Sequence, residues 1–381
     1  MIYFDNNATT EIAPEAAAAM ERWLKGSFGN PSSAHDAGTE ARRAVADARE
    51  AVAGLLGASS ADEIVFTSGG TESDNWALAG AVEAQPPRRH IITTAVENEA
   101  VSRMADRLER QGCRVTRLGV DREGMLDLEE LRSELSGDTA VVSVMLANNE
   151  TGVLFPVDEI AKIVKANSPA LMHVDGVNAA GKVRIDLSEG KIDLFSISAH
   201  KFHGPKGVGA LYVRNGVKIP SMLIGGGQES GRRAGTEAVH QIAGLGAAAV
   251  VAADLSPMER IAEMRDRLES FVLSNIPDTY LNGTADTARR LPNTSNISFA
   301  NTNGEMILSR LNDLNICVST GSACHASSHI ASPVLAAMDV PYIQAMGSIR
   351  FSLGRSNTAE EVERVVTVLP QVISDLRRIA A

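Results

Sequence analysis

The feature of this sequence that most restricts its fold is a regular alternation of short β-rich runs with longer helical patterns. Several β-rich runs are almost continuously apolar, which is typical of strands covered on both faces. We predict strands at residues 64–67, 90–94, 114–118, 140–145, 171–174, 194–198 and 208–213. Because strands that alternate with helices form parallel sheets between helix layers, the sequence predicts an α/β fold with a mainly parallel seven-stranded sheet.

The helical patterns support this layout and change in character after residue 257. We predict helices at 39–56, 128–135 and 158–166, and a buried helix at 242–253. The long amphipathic stretch at 256–276 begins a second unit. There we predict a strand at 297–299, a helix at 304–311, a cysteine-bearing loop at 319–332, a strand at 348–353 and a helix at 359–379.

Composition excludes several classes of function. The chain has 381 residues and a formal net charge of -11, which argues against a nucleic-acid-binding surface. No apolar run reaches the roughly 18–20 residues of a membrane span. The first residues lack the features of a signal peptide, so we expect a cytoplasmic protein. Three cysteines are too few for a disulfide framework.

Polar clusters follow several of the predicted strands, where open α/β sheets place their ligands. The segment TSGGTESDN at 67–75 follows the first of them and opens a helix. Gly69 and Gly70 allow the backbone to approach a ligand closely, and Thr71 adds a hydroxyl at a helix N-terminus, which suits a phosphate group. A glycine turn with a helix cap explains the same residues equally well. The lysine of a P-loop is absent, which argues against a nucleoside triphosphate.

Two further residues extend this pattern to a cofactor. Asp175 ends a predicted strand, where a carboxylate either caps a helix or holds a cation. Lys201 stands between a strand end and a glycine-rich turn, an unusual place for a solvated lysine. A phosphate site, an acid and a lysine at neighbouring strand ends suit pyridoxal phosphate (PLP), whose aldehyde forms a Schiff base with a lysine.

Cys324 differs from the other two cysteines in its surroundings. Cys113 and Cys317 fit the ordinary interpretation of cysteine as a small buried apolar residue. Cys324 lies among small polar residues in STGSACHASSH, which favours an accessible and reactive thiol. His325 and His329 raise the alternative of a structural metal site, for which three ligands on one loop are weak support.

Eight motifs of this chain occur in one order in a known family. They are YFDNNATT at 3–10, GNPSSAH at 29–35, TSGGTESDN at 67–75, NNETG at 148–152, SAHKFHGPKGVGALYVR at 198–214, GGGQESGRRAGTE at 225–237, STGSAC at 319–324 and SIRFSLGRSNT at 348–358. The chain therefore resembles the PLP-dependent cysteine desulfurases of the NifS/IscS kind, within the class-V aminotransferases, over almost its whole length. The segment 338–355 looks closer to NifS than to IscS.

The resemblance implies a fold-type I homodimer. Its large PLP-binding domain would comprise residues 14–257, and residues 1–13 and 258–381 would form a smaller α+β domain. The implied reaction converts L-cysteine to L-alanine and leaves a persulfide on Cys324, which passes the sulfur to an acceptor or scaffold protein for iron–sulfur cluster or other thio-cofactor assembly. Cys324 is then expected to contact a nascent cluster on that partner, and no metal site of the chain's own is expected.

The family's site residues carry over to this chain position by position. The resemblance implies that Lys201 binds the coenzyme, that Asp175 pairs with its ring nitrogen, and that Asn149 and Arg350 hold the substrate carboxylate. Gly70 and Asn149 are also expected at the coenzyme. The phosphate ligands that it implies are Thr71, Ser198, His200 and Thr236 of the partner subunit.

The chain departs from the family pattern at two further positions. Asn98 stands where the family has a histidine that stacks on the coenzyme ring, and an asparagine side chain cannot act as a general acid or base near neutral pH. Asn178 replaces the usual glutamine near the phenolic oxygen and is one methylene shorter. The cysteine loop also lacks the usual acidic-proline stretch. These differences leave rate, substrate preference and acceptor open.

Two alternatives to a cysteine desulfurase remain at this stage. One is a related PLP-dependent lyase that acts on selenocysteine or cystine, which Asn98 suggests. The other is a non-catalytic sulfur-transfer scaffold that keeps the fold and the dimer. Release of alanine and formation of a Cys324 persulfide would separate the desulfurase from both alternatives.

Overall fold

The computed structural model describes residues 1–320 and 331–380 of the chain. Its strands are β1 (Ile2–Tyr3), β2 (Ile64–Thr67), β3 (His90–Thr94), β4 (Arg114–Leu118), β5 (Thr139–Met145), β6 (Leu171–Asp175), β7 (Leu194–Ser198), β8 (Gly209–Val213), β9 (Thr279–Leu281), β10 (Thr294–Phe299), β11 (Ile316–Cys317) and β12 (Ser348–Ser352). Its helices are α1 (Pro14–Lys25), α2 (Asp36–Leu56), α3 (Gly70–Glu83), α4 (Glu99–Arg110), α5 (Leu128–Glu134), α6 (Val157–Asn167), α7 (Val239–Ala253), α8 (Pro257–Asn275), α9 (Gly304–Asp313), α10 (Pro333–Ala337), α11 (Tyr342–Met346) and α12 (Ala359–Ala380).

The large sheet has seven strands in the order β2-β8-β7-β6-β5-β3-β4. Strand β8 is antiparallel to both β2 and β7, and the remaining neighbours pair in parallel. The predicted α/β class and the mainly parallel seven-stranded sheet are therefore confirmed. The seven predicted strands agree with the observed ones to within one residue at either end.

Both faces of this sheet are buried, as the continuously apolar strands predict. Successive side chains of a strand point to opposite faces. In β2, Ile64 and Phe66 accordingly belong to one apolar cluster and Val65 belongs to another. The first cluster also includes residues of α2, α6 and α7, and the second includes residues of α3 and α4, so helices cover the sheet on both sides.

A separate core is built around a small antiparallel sheet of order β12-β10-β9. Apolar residues of α8, α9 and α12 pack there, together with Phe4 from the beginning of the chain. Strand β1 pairs in parallel with β11, which brings the first residues next to the last third of the sequence. The smaller α+β unit expected from the sequence is thus present.

Helices α2 and α7 and strand β10 each begin three residues earlier than predicted, and for α2 and β10 there is a local reason. Helix α2 begins at Asp36 because His35 caps it, its Nδ1 accepting a hydrogen bond from the Gly38 amide at 3.2 Å. Strand β10 begins at Thr294 although its first residues are polar. Their side chains are buried and bonded to distant partners, as in the 2.7 Å bond from Ser295 Oγ to Glu269 Oε2.

Some short elements were not predicted at all. Helices α10 and α11 have five residues each and lie between the predicted loop at 319–332 and the predicted strand at 348–353, where no element was predicted. Among residues 1–320 and 331–380, no single helix is long and apolar enough to cross a membrane, and the bent pair α7 and α8 meets that test only when both are taken together. Over the same ranges, no three His, Cys, Asp or Glu side chains lie together as potential metal ligands.

Candidate active site

A cavity of about 220 Å³ lies beyond the carboxyl ends of β2, β5, β6 and β7. The sequence placed polar residues at these strand ends, and the fold brings them to one edge of the sheet. Nine predicted site residues line the cavity: Gly70, Thr71, Asn98, Asn149, Asp175, Asn178, Ser198, His200 and Lys201. The lining also includes residues that the sequence did not single out, namely Asp74, Met145, Ala147 and Val177.

Lys201 reaches this cavity from a single helical turn, Ala199–Lys201, that directly follows β7. Its Nζ donates hydrogen bonds to the carbonyl oxygens of Asn7 at 2.5 Å and Ala8 at 3.0 Å. These acceptors belong to the N-terminal segment, which also contacts β10, because Asn7 Nδ2 donates to Thr294 Oγ1 at 2.8 Å. The amine is therefore held in a defined place at the rim of the sheet.

Asp175 is the last residue of β6 and is only 6% exposed. Its Oδ1 accepts a hydrogen bond from the Val177 amide at 2.9 Å. Burial raises the pKa of this carboxyl to about 6, although the Val177 amide and the Lys201 charge act in the opposite direction. A buried carboxylate at the wall of a cavity favours a cationic partner, such as a protonated ring nitrogen.

Asp74 lies beside Asp175 in the cavity wall and adds a second buried carboxyl group. Burial and the negative charge of Asp175 raise the Asp74 pKa well above its usual value. Its Oδ1 stands 3.6 Å from Nε2 of His173, whose pKa burial lowers to about 3. Because both shifts favour the neutral forms, the two side chains do not form an ion pair near neutral pH. Asp175, with a pKa of about 6, is mostly ionised near neutral pH.

The part of the cavity wall around the beginning of α3 suits a phosphate group. Gly69 has φ 146°, a conformation that favours glycine, and it precedes the N-terminus of the 14-residue helix α3. Thr71 and Ser198 provide hydroxyl groups there. Burial, followed by the Lys201 charge, lowers the pKa of His200 to about 4, so its neutral ring can donate one hydrogen bond. A helix N-terminus with these donors binds anions.

Asn178 provides a further sign of a ligand-binding site. Its side-chain Nδ2 is buried and has no hydrogen-bond partner within residues 1–320 and 331–380. An unpaired buried donor costs about 1–3 kcal/mol. A lysine, a buried carboxylate, a phosphate cradle and an orphaned amide in one cavity together fit pyridoxal phosphate, with its aldehyde, ring nitrogen, phosphate and ring oxygen.

The other predicted site residues lie elsewhere. Arg350, on β12, is 3% exposed and is not among the cavity-lining residues, but its Nη1 donates to the Asn149 carbonyl at 2.9 Å and its Nη2 to Asp5 Oδ1 at 2.7 Å. Thr236 is exposed and does not line the cavity of its own chain. Cys324 lies outside the described residues, as do His325 and His329.

Asn98 lines the cavity and also begins a helix. Its Oδ1 accepts a hydrogen bond from the Ala100 amide at 2.9 Å and caps α4. The preceding residue, Glu97, was missed by sequence reasoning. It is buried, and burial raises its pKa to about 8. Its position in the turn after a strand could have marked Glu97 as a candidate site residue, but only the fold shows that the side chain is buried.

The chain is similar in sequence and in structure to known proteins over nearly its whole length. The sequence profile of the family described as Aminotransferase class-V matches residues 2–365. A cysteine desulfurase of Trichormus azollae is 50% identical over 384 residues, covering 100% of this chain and 94% of that protein. The cysteine desulfurase NifS of Azotobacter vinelandii is 46% identical over 381 residues, with coverage of 100% and 94%. The solved structure of a NifS-like protein superposes with a TM-score of 0.92 at 39% identity, covering 98% of this chain and 100% of that one.

Proposed function

The chain belongs to the class-V aminotransferase family and is a PLP-dependent cysteine desulfurase, and we propose that it binds coenzyme and L-cysteine in the cavity beyond β2, β5, β6 and β7. The observation that carries this proposal is the convergence of Lys201, Asp175 and the N-terminus of α3 on one cavity. When bound, PLP supplies a ring that accepts the electron pair left as the substrate Cα loses its proton.

Each residue of the cavity has a proposed task. Lys201 holds the coenzyme aldehyde and moves the proton at the substrate Cα, and the carbonyl oxygens of Asn7 and Ala8 orient its amine beforehand. Asp175 keeps the ring nitrogen protonated, since a buried carboxylate favours a cation beside it. Asn178 donates from its unpaired amide to the ring oxygen. The proposed phosphate ligands are Gly70, Thr71, Ser198, His200 and Thr236 of the partner subunit.

Arg350 and Asn149 are the proposed ligands of the substrate carboxylate. A guanidinium group matches a carboxylate with two parallel hydrogen bonds, and Asp5 already forms a charged contact with Arg350. The substrate carboxylate would therefore share or replace the contact that Asp5 makes. Asn149 lines the cavity and is joined to Arg350 through its backbone carbonyl, so the two residues can act on one group.

Sulfur transfer is assigned to Cys324. Its thiolate attacks the substrate sulfur, so that an S–S bond forms while the Cβ–S bond breaks and its electron pair stays with the carbon skeleton. Protonation of that carbon skeleton gives L-alanine, and Cys324 retains the sulfur as a persulfide. No external oxidant or reductant is needed. A thiolate of a second protein can then attack the persulfide, which is why we propose a sulfur-acceptor protein for iron–sulfur cluster or thio-cofactor assembly.

Three further expectations belong to this proposal. Residues 14–257 form the large PLP-binding domain, and residues 1–13 and 258–381 form the small one. The active species is a homodimer, and the protein is cytoplasmic. One apolar core consists only of residues within 1–13 and 258–381, which supports the domain division, whereas Leu335 of α10 and Ala345 of α11 pack into the core of the large domain. The position of Thr236 outside its own chain's cavity supports a second subunit.

The decisive test of the function compares the wild type with Cys324→Ala. The wild type is expected to release alanine from L-cysteine and to carry one persulfide per chain. The variant should lose the persulfide and at least 99% of alanine formation, because no other thiol is assigned to the attack on the substrate sulfur. A Cys317→Ala variant is the control and should remain active. Alanine and persulfide are measured by chromatography and by mass spectrometry of the intact protein.

Other results would favour the alternatives. Elemental sulfur or selenide released without a persulfide would indicate a lyase that acts on cystine or selenocysteine. No alanine from L-cysteine with excess PLP would indicate a scaffold. A Cys324→Ala variant with full activity would contradict the role of this cysteine.

A further inference from the structure

A second lysine, Lys182, is buried beside the cavity and has no part in the function described above. It lies after β6 and is 7% exposed. Its Nζ donates to the backbone carbonyl of Asn178 at 2.8 Å and lies 3.4 Å from Oδ1 of the same residue. It also lies 3.5 Å from the carbonyl oxygen of Lys201. One ammonium group thus connects two residues of the cavity wall.

The chemistry of Lys182 decides how the Asn178 amide is turned. An ammonium group donates hydrogen bonds and accepts none, so it faces the amide oxygen of Asn178 and not the amide nitrogen. The nitrogen Nδ2 is then directed away from Lys182. This is the same Nδ2 that is buried without a partner in the part of the chain that the structure describes. The orientation therefore leaves a fixed donor for a ligand acceptor.

We propose that Lys182 is a positioning residue for the coenzyme: its ammonium group fixes the Asn178 amide so that Nδ2 donates to the oxygen on the coenzyme ring. This inference rests on the proposed function, because it needs PLP in the cavity. The inference gives a task to Lys182. It also explains how the short Asn178 side chain is held rigidly enough to donate to the ring oxygen. A rigid donor loses less conformational entropy on binding.

The charge around Lys182 agrees with an anionic ligand. The charged and titratable groups that face it are Lys201, Arg350, His200 and His203. Burial, and then the charges of Lys201 and Arg350, lower the Lys182 pKa to about 7. A ligand oxygen that accepts from Nδ2 would keep Oδ1 turned toward Lys182 and would thereby favour the protonated amine. Binding and protonation of Lys182 should therefore support each other.

The test uses two probes that cannot form a covalent bond to Lys201. Pyridoxine 5′-phosphate retains the ring hydroxyl, and its 3-deoxy analogue lacks it. Their dissociation constants are measured by calorimetry at pH 6.5 with coenzyme-free wild type, Lys182→Met, Asn178→Ala and the double variant. Lys165→Met is the matched control, because Lys165 also bonds a backbone carbonyl, that of Ala170, but neither Ala170 nor its other partner, Asp193, belongs to the cavity wall.

The expected result is selective for the ring oxygen. Lys182→Met should weaken binding of pyridoxine 5′-phosphate about tenfold, the range of one hydrogen bond to a charged group. It should change binding of the 3-deoxy analogue less than twofold. When Asn178 is already replaced by alanine, Lys182→Met should cause no further loss of affinity for pyridoxine 5′-phosphate. The Lys165→Met variant should bind both probes as the wild type does. If Lys182→Met does not fold, Lys182→Gln keeps a neutral donor and should show a smaller loss with the same selectivity.

Three outcomes would overturn the inference. They are an equal loss for both probes, no loss for either probe, and a loss that persists without the Asn178 amide. Borohydride reduction of PLP-loaded wild type, followed by peptide mapping, tests the proposed function separately. If reduction labels Lys201 but both probes lose affinity equally, only the task of Lys182 is contradicted. If reduction does not label Lys201, the proposed function itself is contradicted.

Discussion

Asn98 illustrates how one residue combines a structural and a chemical position. Its side chain caps α4 and lines the cavity, where the family resemblance places a histidine. A histidine can form the same kind of cap, as His35 does at the start of α2 in this chain. The position therefore accepts a proton-transferring side chain without loss of the cap.

We predict that Asn98→His raises the rate of alanine formation at least tenfold. The physical reason is that imidazole titrates near neutral pH, and general acid–base catalysis contributes about 10²–10⁴-fold. The measurement is kcat for alanine release from L-cysteine as a function of pH. The free energy of unfolding, measured by thermal denaturation, is the control. It should stay within about 1 kcal/mol of the wild-type value, as expected for an exchange of capping residues. An unchanged rate would mean that another group transfers the proton.

Asp175 allows a second prediction at the level of one residue. Asp175→Asn keeps the shape and an oxygen acceptor for the Val177 amide but removes the negative charge. We expect the dissociation constant of PLP to rise at least tenfold, because hydrogen bonds to charged groups contribute about 1.5–3 kcal/mol. Absorbance titration of the coenzyme-free variant measures the constant. Equal affinity of variant and wild type would remove Asp175 from the proposed site.

At the level of elements, Glu97 joins the turn after β3 to the end of β5. Its Oε1 accepts hydrogen bonds from Thr94 Oγ1 at 2.7 Å and from the Met145 amide at 3.0 Å. The next residue in the turn, Asn98, and Met145 both line the cavity. A pKa of about 8 means that Glu97 is protonated at neutral pH, so this connection between two elements is made by an uncharged side chain.

This protonation leads to a prediction about stability. The folded-state pKa of Glu97 lies above its usual value of 4.5, so the folded state binds the proton more tightly than the unfolded state. The stability due to this group is full below about pH 4.5 and is lost as the pH rises to about 8. Glu97→Gln mimics the protonated form. Relative to the wild type, the free energy of unfolding of the variant should therefore rise by about 4 kcal/mol between pH 5 and pH 9.

Urea unfolding of the coenzyme-free proteins at several pH values measures this difference. Glu83→Gln, at the exposed C-terminal end of α3, is the control and should show no comparable change. A difference between Glu97→Gln and the wild type that does not depend on pH would contradict the protonated state of Glu97.

At the level of the whole molecule, exposed apolar side chains indicate a surface for a second copy. Phe28 is 95% exposed and Ile224 is 93% exposed, and large apolar side chains of this kind on a surface often mark an interaction site. Ile224 lies in the same loop region as Thr236, the residue expected to reach the phosphate of the other subunit. Dimer formation and coenzyme binding should therefore depend on each other.

We predict that the wild type is a dimer and that Ile224→Asp shifts it toward the monomer. The charge would be buried in the interface without a partner, which is unfavourable. The variant should also release PLP at least tenfold faster, because Thr236 of the partner subunit would be absent. Light scattering gives the mass and dialysis gives the release rate. Met306→Asp, on the exposed face of α9, is the control. A dimeric variant that retains its coenzyme would contradict the prediction.

Local patterns in the sequence were sufficient to predict the seven strands of the large sheet, many of the helices and the polar residues at the strand ends, because period and composition act over a few neighbouring residues. The tertiary structure decided which groups lose their contact with water, and this controls their chemistry. The contact between Lys201 and Asn7 joins residues 194 positions apart. The protonated Glu97 and the buried Lys182 likewise depend on packing. Desolvation acts through space, so no local pattern in the chain could predict these features.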